Sequence, residues 1–571
     1  MDLFNKYVII FLISLLLLLL ALGIIWFHNQ RLECFMALLS PTEKIGQLLM
    51  ISPASTEFDD ELKNFIKNYH IGNIKIFGKN YQSPKQLHKL IVSAQNTALH
   101  YNKGIPMFIA TDQEGGWIMH LKKGFTIPPS NMAIGKTREI RYAYIAGKII
   151  ASELSAVGVN VNFAPVVDLY LNSQNWVIGP RAYSSDPQLV TVMANEFIKS
   201  HIKFNVLPVI KHYPGQGRVS GDSHIEVLTN SAKYEVVINN EVYPFRKLCK
   251  CDMCGIMTAH IAVPTIVKYI ESREHKDYKQ YYYLPATLSE ILIKKYLLEY
   301  NNAKSLIFSD EISMKGITAQ FNLEEAAYRA IKSGVNIVVI DKDYPKIKKI
   351  VKYLEKKYYT DKQFKKDVEN SIKKIIETKT LLFSNLNKMK IFSGGIFHIP
   401  KFKINTNRLN IINSEKHKSI AYSLSIVTTD IIRNRKNLIP LTKFKQFKDL
   451  SFTIVSSTPI LFNAVRKYSI KAKFIPLKKL TLKNISNRQN CMIIFGLKDK
   501  KETDIVKKIY KKNKNIIVIN FLHPHNIENL NYIDTIICTY SDNFTQISAS
   551  IDVLFNGKRT IKKIFFEYLS F

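Results

Sequence analysis

Two stretches of the chain carry residue types that could do acid/base and nucleophilic chemistry. The segment KHYPGQGRVSGDSH (211–224) places Lys211 and His212 at the end of a β-rich run, then passes Gly215, Gly217 and Gly221 to reach Asp222 and His224. Residues two apart in extended backbone share a side. Asp222 can therefore accept a hydrogen bond from one imidazole nitrogen of His224, fixing its tautomer and leaving the other nitrogen to move a proton. The bland alternative is a turn residue beside a surface histidine. The second stretch is IFSDEISM (307–314), where Asp310 and Glu311 follow an apolar run. Neighbours on a strand point to opposite faces, so only one of the two is expected to face a site. A carboxylate there suits attack on an anomeric carbon; the competing reading is a helix N-cap at the strand-to-helix turn.

Such groups need a scaffold that gathers strand ends. Between residues 45 and 385, short apolar β-rich runs alternate with segments of helical periodicity, which predicts βα units on a parallel sheet. The runs are IGQLLMI (45–51), IKIF (74–77), PMFIAT (106–111), VNVNFAPV (159–166), VLPVIKH (206–212), GIMTAHI (255–261), SLIFSD (305–310) and VNIVVI (335–340). Eight of them predict an α/β fold, a TIM-like (β/α)8 barrel over residues 35–385. Asp112, Lys211, His212, His260 and Asp310 then fall at strand ends, where such barrels build their active sites. Residues 345–382 are Lys-rich with Ile347, Ile350, Val351 and Leu354 at helical spacing, the pattern of outer helices with a solvated face. A linker is expected at 386–412. Beyond it FTIVSS (452–457), CMIIFGL (491–497), NIIVINF (515–521) and DTIICTY (534–540) alternate with helical segments, predicting a smaller α/β sandwich over 413–571.

Residues 7–27 read YVIIFLISLLLLLLALGIIWF without a charge, long enough to span the hydrocarbon core as a helix. The run ends in large residues rather than a small-residue cleavage site, so a retained signal anchor within residues 1–34 is expected, with the large domain outside the cytoplasm. The remaining composition is globular: 571 residues, 46% hydrophobic and 22% charged, enough for two or three packed domains. The formal charge is +35, yet only 14 of the 81 basic residues are arginine, and the lysines run through the whole chain. A nucleic-acid reader favours clustered Arg. No nucleic-acid partner is therefore expected, and the excess charge reads as a diffuse basic surface.

The motifs ATDQEGG (110–116), NFAPVVDL (162–169), GPRAYSSDP (179–187), KHYPG with DSH, MTAHI (257–261), and PATLSEILI to FSDEISM (285–314) stand in a characteristic order and spacing. In these the chain resembles glycoside hydrolase family 3, and more narrowly its β-N-acetylglucosaminidase branch, over about residues 40–340. The C-terminal part is similar to that family's sandwich domain through TTDIIRNRKNLIPL (428–441) and VLFNGKR (553–559). The resemblance implies Asp310 as the nucleophile, His224 as general acid and then base, and Asp222 as the residue that orients and charges it. It implies Asp112, Arg181, Lys211 and His212 as the groups that hold the sugar, with no metal and no organic cofactor. The carbohydrate substrate implied is a terminal β-linked N-acetylglucosaminide, as in muropeptides, cleaved with retention. Glu114 in the DQEGG turn looks structural. Departures are Trp117 and His120 in place of two arginines, Gln216 in PGQG, and Glu311 in SDE; loss of the second arginine removes a cation near the mouth.

Two other readings share these residues. A glycoside phosphorylase is chemically open, because a His acid/base does not repel phosphate as a carboxylate would. A decayed sugar-binding protein is the other. Cys249, Cys251 and Cys254 offer three thiols where a structural zinc wants four ligands; a local disulfide or free thiols is the expectation.

Overall fold

Each predicted run of the barrel yields a strand with every residue buried, as expected when helices cover one face and the barrel interior the other. They are β1 (Leu49–Ile51), β2 (Asn73–Ile76), β3 (Phe108–Thr111), β4 (Val161–Asn162), β5 (Leu207–Tyr213), β6 (Gly255–Thr258), β7 (Leu306–Ser309) and β8 (Val338–Ile340). The computed structural model describes residues 7, 10–17, 32–221, 227–384, 390–391, 397–398, 401–469 and 471–558. All eight strands are parallel and pair in chain order from β1 to β7. β8 returns beside β1 with Leu49 opposite Val338, and the Phe308–Ile337 bridge links β7 toward β8, so the sheet curls into a nearly closed barrel.

Helices wrap the outside. Tyr344–Thr360 buries Ile347, Ile350, Val351 and Leu354 against the sheet, the stripe expected from its spacing. Local rules override the predicted β character at one point: Ile45, Gly46 and Gln47 belong to the helix Pro41–Gln47. Ser40 and Glu43 cap it reciprocally and Pro41 opens it, so the chain becomes strand only at Leu49. Within VNVNFAPV only Val161 and Asn162 form a continuous strand, and Val166 pairs again with Lys211 in a single bridge. Pro165 has no N–H to give a neighbouring strand.

The second unit is a six-stranded sheet. Its strands are β9 (Asp430–Asn434), β10 (Ser451–Ser456), β11 (Ala472–Pro476), β12 (Cys491–Leu497), β13 (Ile516–Asn520) and β14 (Thr535–Cys538). They lie in the order β9-β14-β13-β12-β10-β11, with β9 antiparallel to the rest. Apolar clusters cover both faces: Ile493 and Phe495 enter one, Met492 and Ile494 the other. β9 and β11, the two edge strands, carry no apolar run in the sequence because much of their surface stays partly exposed.

Both clusters of this unit reach the barrel. Met132 and Ala133 join the first, and Trp117 packs against the second. Trp117 also meets His523 edge-on, with ring centroids 5.9 Å apart. Buried Glu153 of the barrel accepts from His417 Nδ1 at 2.7 Å and from the backbone N–H of Asn413 at 2.9 Å. The predicted anchor at 7–27 lies largely outside the described residues. Among the described residues no helix is long and apolar enough to cross a membrane.

Burial holds two imidazoles neutral. His201, stacked on Phe197, is lowered to about 3. His523, buried beside His525, is lowered to about 4. An unfolded histidine titrates near 6.5, so below that pH the unfolded chain takes up protons the folded chain refuses. Their contribution is complete above about pH 6.5 and is lost as pH falls toward 4. The thermal midpoint should therefore drop steadily across that interval, and the drop should flatten in His201→Gln; an unaltered slope in that variant contradicts the assignment.

Candidate active site

β5 ends in a bulge: its pairing with β6 shifts between Lys211 and Tyr213. The extra residue re-aims the strand end, and both Lys211 and His212 come to lie among the carboxylates at the barrel mouth. Lys211, only 2% exposed, gives one hydrogen to Asp112 Oδ1 at 2.6 Å and sits 2.7 Å from Glu114 Oε1. Glu114 in turn holds Arg181 through two parallel contacts, Nε to Oε2 at 2.9 Å and Nη2 to Oε1 at 2.8 Å. Burial by itself raises the two carboxyls. For Asp112 it is outweighed by Lys211, then Lys75 and His120, and the carboxyl is held well below its usual range. For Glu114 Arg181 and Lys211 do the same. Both are anions with cations locked between them.

His212 is fixed from the other side. Its Nδ1 donates to Asp168 Oδ2 at 2.6 Å, and its Nε2 lies 3.4 Å from Arg181 Nη2. Asp168 is fully buried and also takes the backbone N–H of His212 and of Gln216, at 3.2 and 2.7 Å. One carboxylate thus orients a site imidazole and ties down the stem of the glycine loop. The glycines there answer to close packing: a Cβ on Gly217 would stand 1.7 Å from the Leu169 carbonyl oxygen, and one on Gly215, at φ +125°, 2.6 Å from Glu241 Cβ. Asp222 and His224, at the far end of the loop, lie outside the described residues.

At the end of β7 the two neighbouring carboxylates divide as strand alternation predicts. Glu311 turns to the backbone of the loops, accepting from Ser313 N–H at 2.9 Å and Asp341 N–H at 3.1 Å, while the helix Lys315–Thr318 that follows has Met314 at its N-cap and no side-chain cap. Asp310 accepts from Glu311 N–H through Oδ1 at 2.8 Å and keeps Oδ2 without a hydrogen-bond partner among the described residues. Burial raises its carboxyl, but His212, His260 and Lys75 outweigh burial and leave it below its ordinary value. His260 itself is a support, with Nδ1 on Thr287 Oγ1 and Nε2 on the Glu311 carbonyl, both at 2.9 Å.

The barrel thus gathers Asp112, Arg181, Lys211, His212 and Asp310, as the sequence motifs imply. Two further contributors are Asp168 and Lys75. Nothing in NFAPVVDL distinguishes Asp168 as a partner of His212, whereas a charge between Ile74 and Ile76 in an apolar strand is a signal that Lys75 faces a polar interior. His120 stands 3.3 Å from Asp112 Oδ2, so it occupies the mouth that its substitution seemed to empty. Trp117, the other departure, faces the second unit instead. The arrangement is a ring of ammonium, guanidinium and carboxylate groups suited to hydroxyls, beside the Asp310 carboxylate, whose Oδ2 has no hydrogen-bond partner among the described residues.

Cys249, Cys251 and Cys254 carry free thiols, each pushed up by burial. Among the described residues no group of three or more His, Cys, Asp or Glu could hold a metal ion.

Residues 41–377 match the family described as Glycosyl hydrolase family 3 N terminal domain. A beta-hexosaminidase of Nitrosomonas eutropha (strain DSM 101675 / C91 / Nm57) is 30% identical over 301 residues, 52% of this chain and 80% of its own. The solved glycoside hydrolase family 3 beta-N-acetylglucosaminidase from Paenibacillus sp. str. FPU-7 shares the fold with a TM-score of 0.76 and 23% identity, over 92% of this chain and 98% of that one. Beta-glucoside phosphorylase BglX bound to 2FGlc shares it with a TM-score of 0.78 and 19% identity, over 93% and 95%.

Removing one partner from a buried ionic cluster strands the others. Glu114→Gln should therefore lower stability by about 3–5 kcal/mol in urea unfolding. Asp310→Asn, which removes a charge with no salt bridge among the described residues, should leave stability unchanged or raise it; equal losses in both variants would contradict this difference in pairing.

Proposed function

This chain belongs to glycosyl hydrolase family 3 and is a glycoside hydrolase acting on O-glycosyl bonds, and from that premise we propose that it is a retaining β-N-acetylhexosaminidase. The substrate is a terminal β-linked N-acetylglucosaminide, and fragments of peptidoglycan are the natural source of such ends. The observation that carries the reading is the Asp310 carboxylate, ionised and with Oδ2 unpartnered among the described residues, beside a ring of hydroxyl-binding groups. The beta-hexosaminidase name of the Nitrosomonas eutropha relative supports the choice of sugar.

In this mechanism Asp310 attacks the anomeric carbon while His224 gives its proton to the departing oxygen. A covalent glycosyl ester on Asp310 and a free aglycone alcohol result. His224, now neutral, takes a proton from water as that water attacks the same carbon and releases Asp310; two inversions return the β configuration. Asp222 orients His224 and stabilises its charged form. Asp112, Arg181, Lys211 and His212 hold the ring hydroxyls and the N-acetyl group.

A second reading, phosphorolysis, draws on the same step with phosphate in place of water. It is favoured by the three cations Lys75, Lys211 and Arg181 at the mouth. Product analysis in phosphate buffer separates the two, because hydrolysis yields free N-acetylglucosamine and phosphorolysis yields its 1-phosphate.

A chromogenic β-N-acetylglucosaminide should be turned over by the full chain. Turnover should fall about 10³-fold or more in Asp310→Ala and about 10²- to 10⁴-fold in His224→Ala. The sugar first released should be the β anomer by proton NMR. No turnover of several such substrates by the intact protein refutes the enzyme reading. The uncharged run at 7–27 supports attachment to a membrane with the barrel outside the cytoplasm. The chain should then stay with the membrane pellet through an alkaline wash and leave it when residues 1–30 are deleted.

A further inference from the structure

We propose that Lys75 contacts the bound sugar directly and, paired with Asp112, selects for one ring hydroxyl. The inference rests on the glycosidase reading for the class of ligand, but its geometry stands apart from the catalytic pair.

Lys75 lies on β2 between Ile74 and Ile76. Alternation sends those two outward and Lys75 inward, where its Nζ is 2.9 Å from Asp112 Oδ2 and the side chain is 7% exposed. An ammonium has three hydrogens to give, and the ion pair with Asp112 engages at most one. Among the described residues no other acceptor meets it. Its remaining neighbours are the faces of Phe77 and Phe163, with centroids 4.6 and 5.1 Å away. Rings attract the cation but accept no ordinary hydrogen bond, so two donors remain unspent in a nearly buried position. The Lys75 charge is also one of those that hold the Asp310 carboxyl below its ordinary value.

Asp112 supplies the other half. Its Oδ1 takes Lys211 and its Oδ2 takes Lys75 and His120. A carboxylate offers about four acceptor positions, so about one is left. Donor and acceptor thus stand side by side: a hydroxyl that gives its hydrogen to Asp112 can accept one from Lys75. Sites built this way reject a sugar that lacks the hydroxyl, because both protein groups are then left unpaired. The cation lost where His120 replaces arginine is supplied here from a different strand.

The test compares the full chain with Lys75→Met and Lys75→Gln, each assayed well below its own thermal midpoint, which loss of the buried cation beside Asp112 should lower. Substrates are a chromogenic β-N-acetylglucosaminide and its 3-, 4- and 6-deoxy forms, and titration calorimetry follows binding of N-acetylglucosamine and the matching deoxy sugars. With the complete sugar, Lys75→Met should lose about 10- to 100-fold in kcat/KM and in affinity. With one deoxy sugar the native chain and Lys75→Met should differ by less than about threefold, and Lys75→Gln should recover part of the loss on the complete sugar. The same loss on every sugar, or no loss on any, overturns the proposal. So does a native chain that binds none of these sugars. A chain that binds with this pattern but does not turn over substrate upholds Lys75 and refutes the hydrolase reading alone.

Discussion

A buried lysine held between two carboxylates organises the mouth of this barrel. Lys211 stands 2.6 Å from Asp112 and 2.7 Å from Glu114, almost without contact with solvent. Desolvating an ammonium is costly, and its pairing with carboxylates must repay that cost through close geometry. Each carboxylate therefore needs its own further partners. Glu114 closes on Arg181, and Asp112 on Lys75 and His120, so the positions of β2, β3, β5 and the Arg181 loop are specified together. A network of this kind contributes little net stability compared with apolar packing. Its value lies in fixing polar groups that would otherwise swing freely.

Rigidity elsewhere makes this possible. The eight strands are buried on both faces, and their ends differ only in the side chains they present. The bulge at Lys211 and Tyr213 is a local exception, and it carries two consecutive site residues. Asp168 joins the end of β5 to the glycine loop: it orients His212 and accepts the backbone N–H of Gln216. At the end of β7 Glu311 accepts the backbone N–H groups of Ser313 and Asp341, and the Asp310 carboxylate keeps Oδ2 without a hydrogen-bond partner among the described residues.

The second unit is tied to the same region. Trp117 leaves the DQEGG turn to pack against one of its apolar clusters, and His523 sits so close to Gly179 that a Cβ there would lie 2.4 Å from the imidazole. The turns that carry Glu114 and Arg181 are thus braced from outside the barrel. A residue that reads as the loss of an arginine is, in three dimensions, part of an interface.

Periodicity alone points to the eight-stranded barrel, the outer helices and a second α/β unit, while the grouping of Asp112, Arg181, Lys211, His212 and Asp310 comes from the resemblance of their motifs to a known family. These depend on local pattern, and local pattern is written residue by residue. Strand limits at Ile45 and Phe163 were not legible, since a capping box and a proline decide them against hydrophobic character. The edge strands β9 and β11 lacked a signal because an edge is only partly buried. Tertiary structure alone decides which charge meets which. Lys75 and Asp112 are far apart in the chain but come together at adjacent strands, and Asp168 reaches His212 from the segment that runs alongside β5. Electrostatic partners are chosen by distance in space, and a sequence records only distance along the chain.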